Sequence, residues 1–266
     1  MSDDEVMALL IHGAIAVVTW WAWLHGVLGP KHLGRRVPGR LVLAQAPLLA
    51  LGVVVLLLGV FAASDVVGTI YMGFYTVVGA AWIGAFCWLI GLLGVHPRDD
   101  AVERRNPAAV VFLLCAIVGL AAAFAGSNFG DGPGWWVVAF CAAISMGTVL
   151  GLWMLVSAFT GDVETITIGR DTPTGLRCGL LLIALGIVMG RAAAGDWVDV
   201  PSTLVDFAAI GWVAPLLALG EVVVGLAMRP RPNLPSMPMP IFFRGLLPGV
   251  VYVAMAVLYV VLVGWW

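Results

Sequence analysis

The chain has 266 residues, of which 62% are hydrophobic and 11% charged, with a formal net charge of −2. Soluble globular domains carry about 45 to 50% apolar and about 25% charged residues, so this balance excludes a water-soluble fold, and no basic stripe marks a nucleic-acid partner. The mean hydropathy of +1.06 calls for lipid, where only helices and closed barrels satisfy every backbone group. The apolar runs are far longer than barrel strands of about 10 residues, so the expected fold is an all-α integral membrane bundle: a single transmembrane helical domain over residues 1–266.

Spanning helices need about 18 or more mostly apolar residues. Such runs fall near residues 6–29, 41–63, 67–95, 108–126, 134–159, 175–194, 203–228 and 241–264, giving an expected bundle of about eight helices. The first run follows Asp3, Asp4 and Glu5, where a secretory leader would be positive, and no small-residue cleavage site succeeds it. A retained helix is therefore expected. It carries His12, His25 and the cluster Trp20, Trp21 and Trp23, whose rings at these spacings point around the helix toward lipid and neighbours alike. The second and third runs meet around Asp65 and Tyr71, and the third is long enough to tilt. Turn chemistry separates the rest: Pro97, Pro107, the stretch from Gly130 to Gly134, Pro173 and Pro201. Arg191 closes the sixth run; Asp206 and Glu221 lie in the seventh. After it comes residues 229–240, where alternating prolines favour an extended polyproline II strap, either a spacer or a docking segment for another subunit.

Twelve of the 13 Lys and Arg residues fall on the first, third, fifth and seventh connections or their helix edges; Arg191 is the exception. Cytoplasmic loops carry the basic excess. The alternation predicts both termini outside, and Trp135, Trp136, Trp197, Trp265 and Trp266 then form an outer aromatic belt. Twelve arginines against one lysine, with abundant Ala, Val and Gly, suggest a prokaryotic gene and hence the prokaryotic cytoplasmic (inner) membrane. A loose match between Leu51-Gly52 followed by Ala62 to Asp65 and Leu185-Gly186 followed by Ala192 to Asp196 is compatible with a four-plus-four repeat.

Ionisable groups inside membrane helices are costly and are functional candidates by default. Glu221, in Leu219-Gly220-Glu221-Val222-Val223, is the first, with His25 at a similar depth as a proton-path partner. A second group, His12, Asp65, Tyr71, Arg191 and Asp206, is expected near the outer face as a polar pocket for a lipid headgroup or a quinone, or as a structural Arg191–Asp206 ion pair. The loop acids Asp99, Asp100, Asp162, Glu164 and Asp171 read as solvated charges, and Cys87, Cys115, Cys141 and Cys178 as small core residues without metal-ligand spacing. Paired histidines for haem, H-E-x-x-H, G-x-S-x-G and a phosphate loop are missing from the sequence.

These features lead to three expectations. The first is a membrane subunit of a larger complex that handles quinone or protons without a redox cofactor of its own and is not catalytic alone. Its partners would be membrane lipids and other protein subunits. The second is a small secondary transporter or channel. The third is an intramembrane lipid-modifying enzyme built on the loop acids.

Overall fold

A computed structural model describes residues 1–29, 39–63, 66–229 and 241–264. Asp65, Trp265, Trp266 and residues 230–240 of the proline strap lie outside the described residues, so the expectations resting on them have no structural counterpart.

Among the described residues every regular element is helical. Helix α1 (Asp3–Leu28) starts on a capping box in which Ser2 and Glu5 satisfy each other's backbone N–H groups. Helix α2 (Arg40–Phe61) and helix α3 (Ile70–Leu89) follow, the latter tightening into a 3₁₀ turn at Ile90–Leu93. Pro97 opens a π-helical segment, Pro97–Glu103, before Asn106 caps α4 (Pro107–Gly126). Helix α5 (Trp135–Thr160) turns through Gly161 into the short α6 (Asp162–Thr167). Asp171 caps α7 (Thr172–Ala193), and Asp199 caps α8 (Val200–Gly211). Helix α9 (Val213–Met228) continues from α8 after a bend of 40°, and a π-helical turn, Phe242–Leu246, leads into α10 (Leu247–Val263).

Seven of these helices are long and apolar enough to cross a membrane, and the bent pair α8–α9 makes up to eight. The boundaries agree with the sequence reading because Pro and Asx caps mark them. Runs of apolar residues gave no warning of α6, the π-helical segments or the break at Trp212.

The bundle is organised around α4 and α7, whose spanning windows are 72% and 78% buried, against 11% for α1 and 22% for the last helix. Glycine permits this central crossing. A Cβ on Gly186 would run into the carbonyl oxygen of Gly119, and one on Gly126 into that of Gly190. Small residues let helix backbones touch in lipid, where no hydrophobic effect drives them together. Helices α2, α3 and α5 pack on α4, helices α5, α8, α9 and α10 pack on α7, and α1 attaches through α3 and α2. Trp20 Nε1 donates to Ala80 O at 2.8 Å and Trp23 Nε1 to Leu43 O at 3.2 Å, while Trp21 faces outward.

The connections that carry Arg40, Arg104, Arg170 and Arg244 gather at one end. Arg170 Nη2 donates to Arg104 O at 2.8 Å, Asn106 Nδ2 to Ile166 O at 2.7 Å, and Arg244 chelates Asp171 at 3.2 Å. This is the basic end of the bundle. The turns after α2, α4 and α7 form the opposite end.

Candidate functional site: a buried arginine between two carboxylates

Four elements bring charged groups together near the basic end. Helix α5 ends at Gly161, whose φ of +67° reverses the chain so that α6 begins with Asp162 tucked against the bundle. A Cβ at Gly161 would also crowd Arg229 Nη2 at 2.9 Å, which makes glycine the residue that fits. Arg177 lies on the second turn of α7, Glu221 in the middle of α9 and Tyr252 in α10. Gly225, one turn beyond Glu221, lets α9 approach closely; a Cβ there would lie 3.2 Å from Asp162 Oδ2.

Arg177 is the hub. Its Nε donates to Glu221 Oε1 at 2.7 Å, its Nη2 to Asp162 Oδ1 at 3.3 Å and its Nη1 to Arg244 O at 3.2 Å. Cys178 Sγ lies 3.5 Å from the same Glu221 Oε1 as a weak donor. Arg177 is 1% exposed, Glu221 0% and Asp162 3%. Guanidinium stays charged in proteins, so two carboxyls share one fixed positive charge. Their outer oxygens, Glu221 Oε2 and Asp162 Oδ2, are enclosed without a hydrogen bond of good geometry, and the buried Tyr252 hydroxyl stands beside the Glu221 carboxyl, close enough to donate to it. Burying an unpaired charge costs several kcal/mol; protonating one carboxyl removes that excess and creates a donor where acceptors are crowded.

The sequence expectations divide on this geometry. Glu221 is buried against other helices, as a costly intramembrane acid should be. His25 is not brought to it: the imidazole lies on the exposed face of α1, stacked on Trp21 with ring centroids 5.3 Å apart, while α9 packs on α5 and α7. Among the described residues of the outer group, His12, Tyr71, Arg191 and Asp206 do not line one cavity. His12 Nδ1 bonds Ala8 O at 2.8 Å, the Tyr71 hydroxyl reaches Glu5 Oε2 at 3.3 Å, and Arg191 Nε donates to Gly264 O at 2.9 Å. Asp206 forms no ion pair with Arg191 and instead lines a cavity beside the turns after α4 and α7. The Arg191–Asp206 pair fails because Arg191 turns toward the end of α10.

Two site residues escaped the sequence reading. Asp162 read as a solvated loop acid, yet the left-handed turn at Gly161 buries it. Arg177 counted as one more basic residue at a helix edge. A signal existed: Thr172-Pro173 opens α7, which puts Arg177 inside the helix, and a lone intramembrane Glu221 calls for a basic partner. Of the other loop acids, Asp171 pairs with Arg244 and Asp100 with Arg104 at 3.1 Å, while Asp99 N donates to His96 Nδ1 at 3.3 Å.

Asp162, Cys178 and Glu221 each point one potential ligand atom into the same region, all within 4.8 Å of one another. Arg177 Nε and Nη2 occupy the space between the carboxylates, so this donor set suits a proton better than a metal cation. Compared with known proteins, the chain matches no family model, no curated protein and no solved structure.

Proposed function

We propose that the chain is a multi-pass component of a prokaryotic cytoplasmic membrane that binds and exchanges a proton at the Arg177–Glu221–Asp162 cluster, as a subunit of a larger membrane complex. The observation that carries this reading is that two buried carboxyls share a single guanidinium, with their outer oxygens, Glu221 Oε2 and Asp162 Oδ2, enclosed. Each has less than 1 Å² of accessible surface, so there is no room beside them for a water molecule, and a proton is the occupant that needs no room. The sparsely buried faces of α1 and the last helix, and the absence of any loop long enough for a soluble domain, fit a chain that works beside other subunits. Eight spans with both termini on one side follow if α8–α9 is counted as one broken span, and the Arg excess at the other end argues that this side is the outer one.

The test needs no partner. Infrared spectra of the purified protein in lipid, recorded as pH is stepped, should contain a protonated-carboxyl stretch that disappears in Glu221→Gln, because the remaining Arg177–Asp162 pair is neutral. A wild-type protein without that band at any pH at which it stays folded, or a band that survives both Glu221→Gln and Asp162→Asn, refutes the reading.

A second reading, a small proton-coupled secondary transporter, is favoured by one observation: Glu221 rides on the half-helix that follows the 40° break. Discontinuous helices with buried polar sites are how many transporters bind their coupling ions. Gentle purification from native membranes separates the two: stoichiometric companion chains support the subunit, and a homogeneous chain that acidifies proteoliposomes supports the transporter.

A further inference from the structure

Glu221 faces titratable groups from three elements: Arg177 and Cys178 on α7, Asp162 on α6 and Tyr252 on α10. The first three are already committed. Arg177 carries donors and no acceptor, and it donates to Glu221, Asp162 and the Arg244 carbonyl. Cys178 offers a weak donor to Glu221 Oε1, and Asp162 accepts from Arg177. Tyr252 differs from them. It is 6% exposed, its hydroxyl has less than 1 Å² of accessible surface, and no hydrogen bond ties that hydroxyl to any group other than Glu221 among the described residues.

The tyrosine ring is held in place. The π-helical turn and α10 press onto α7 just before Tyr252: a Cβ on Gly245 would lie 2.8 Å from Pro173 O, and one on Gly249 2.8 Å from Leu180 Cβ. On its other side the ring lies against α9 at Gly220, next to Glu221, with Cε1 3.9 Å from where a Cβ would stand. The hydroxyl is therefore kept at the carboxyl, and a buried hydroxyl is costly unless it has a partner. It is also the one kind of group here that suits both states of an acid. A hydroxyl donates and accepts, and its proton turns about a single bond. It can donate to the Glu221 carboxylate, and when Glu221 takes up a proton the same oxygen can accept from the new O–H. The Arg177 guanidinium has no lone pair to offer for that second bond, and the Cys178 sulfur only a poor one.

We propose that Tyr252 is a positioning residue of the proton site, its hydroxyl holding the Glu221 carboxyl in both states by reversing the direction of one hydrogen bond. The inference rests on the proton-binding reading above. The exchanged proton arrives on Glu221 and leaves from Glu221; Tyr252 keeps its own proton throughout.

The test is a pH profile read by infrared spectroscopy on the full chain in lipid. A hydrogen bond to a charged group is stronger than one to a neutral group, so losing the hydroxyl takes more from the carboxylate than from the acid. In Tyr252→Phe the protonated-carboxyl band should persist to higher pH, its midpoint raised by about one unit, or about tenfold in proton affinity. Its carbonyl stretch should also move to higher wavenumber, as for an acid with fewer hydrogen-bond partners. Tyr259→Phe is the control. Tyr259 lies two turns further along α10 and donates its hydroxyl to Ile210 O at 2.6 Å; its loss should lower the thermal midpoint and leave the carboxyl midpoint and frequency unchanged. A second measurement needs no variant: in wild-type protein with ring-¹³C tyrosine, label-sensitive tyrosine bands should rise and fall with the carboxyl band as pH is stepped. An unchanged midpoint and frequency in Tyr252→Phe, even with lowered thermal stability, overturns the role of Tyr252 and leaves the proton reading standing, as does a wild-type carboxyl band with no tyrosine signal beside it. A wild type without any protonated-carboxyl band refutes the reading itself, and this inference with it.

Discussion

Arg177 is tied to two acids and a carbonyl, and its loss and its replacement should therefore have opposite consequences. Removing one member of a buried charge cluster leaves the others uncompensated and typically costs about 3 to 5 kcal/mol, whereas exchanging a whole cluster for apolar residues of similar volume is often neutral or stabilising. Arg177→Met alone should thus lower the thermal midpoint markedly, and Arg177→Met with Glu221→Leu and Asp162→Leu should recover much of it while abolishing the protonated-carboxyl band. Additive losses across the three changes would mean that the groups do not act as one unit. Glu221 was legible in the sequence because an acid inside an apolar run of helix length has no bland place to go. Asp162 was not, since Gly161-Asp162 beside Glu164 has the composition of a solvated turn. Its burial depends on one backbone torsion, the positive φ at Gly161, and on Asn106 pulling α6 against the start of α4.

At the level of elements, hydropathy marked where helices cross but not how they meet. The glycines at 147, 151, 186 and 190 look alike in the sequence, each set among apolar residues of a spanning run. In the fold they separate: Gly186 and Gly190 form the α4–α7 crossing, while Gly147 and Gly151 on α5 have nothing within 4 Å of an added Cβ. Among the described residues the bent span lies elsewhere, at Gly211–Trp212, because a run of apolar residues does not record a change of axis. Gly186→Val should therefore push α4 and α7 apart, at a cost of roughly 1 to 3 kcal/mol or more from overpacking. Gly147→Val on an open face should leave stability nearly unchanged. Thermal unfolding of the two variants in the same detergent makes the comparison, and equal midpoints would place the α4–α7 contact elsewhere.

Across the whole molecule, the basic connections gather at one end and the turns after α2, α4 and α7 at the other, a polarity that follows from the charge alternation once the helices are antiparallel. The excess of Arg belongs on the cytoplasmic side, so a cysteine replacing Ser2 should react with an impermeant maleimide added outside intact cells, and one replacing Arg104 should react only after permeabilisation. The reverse pattern would invert the molecule. On the function proposed above, this sidedness also decides from which face a proton reaches Glu221. The cluster lies close to the basic end, where Arg244 donates to Asp171 and to Met228 O and its own carbonyl accepts from Arg177, whereas toward the outer face α7 packs backbone to backbone on α4 at Gly119, Gly126, Gly186 and Gly190. Protons should therefore reach Glu221 from the cytoplasmic side. In proteoliposomes of known orientation, the protonated-carboxyl band should follow the pH on the side of the basic connections and ignore the other; a band that follows the opposite side would overturn entry from the basic end.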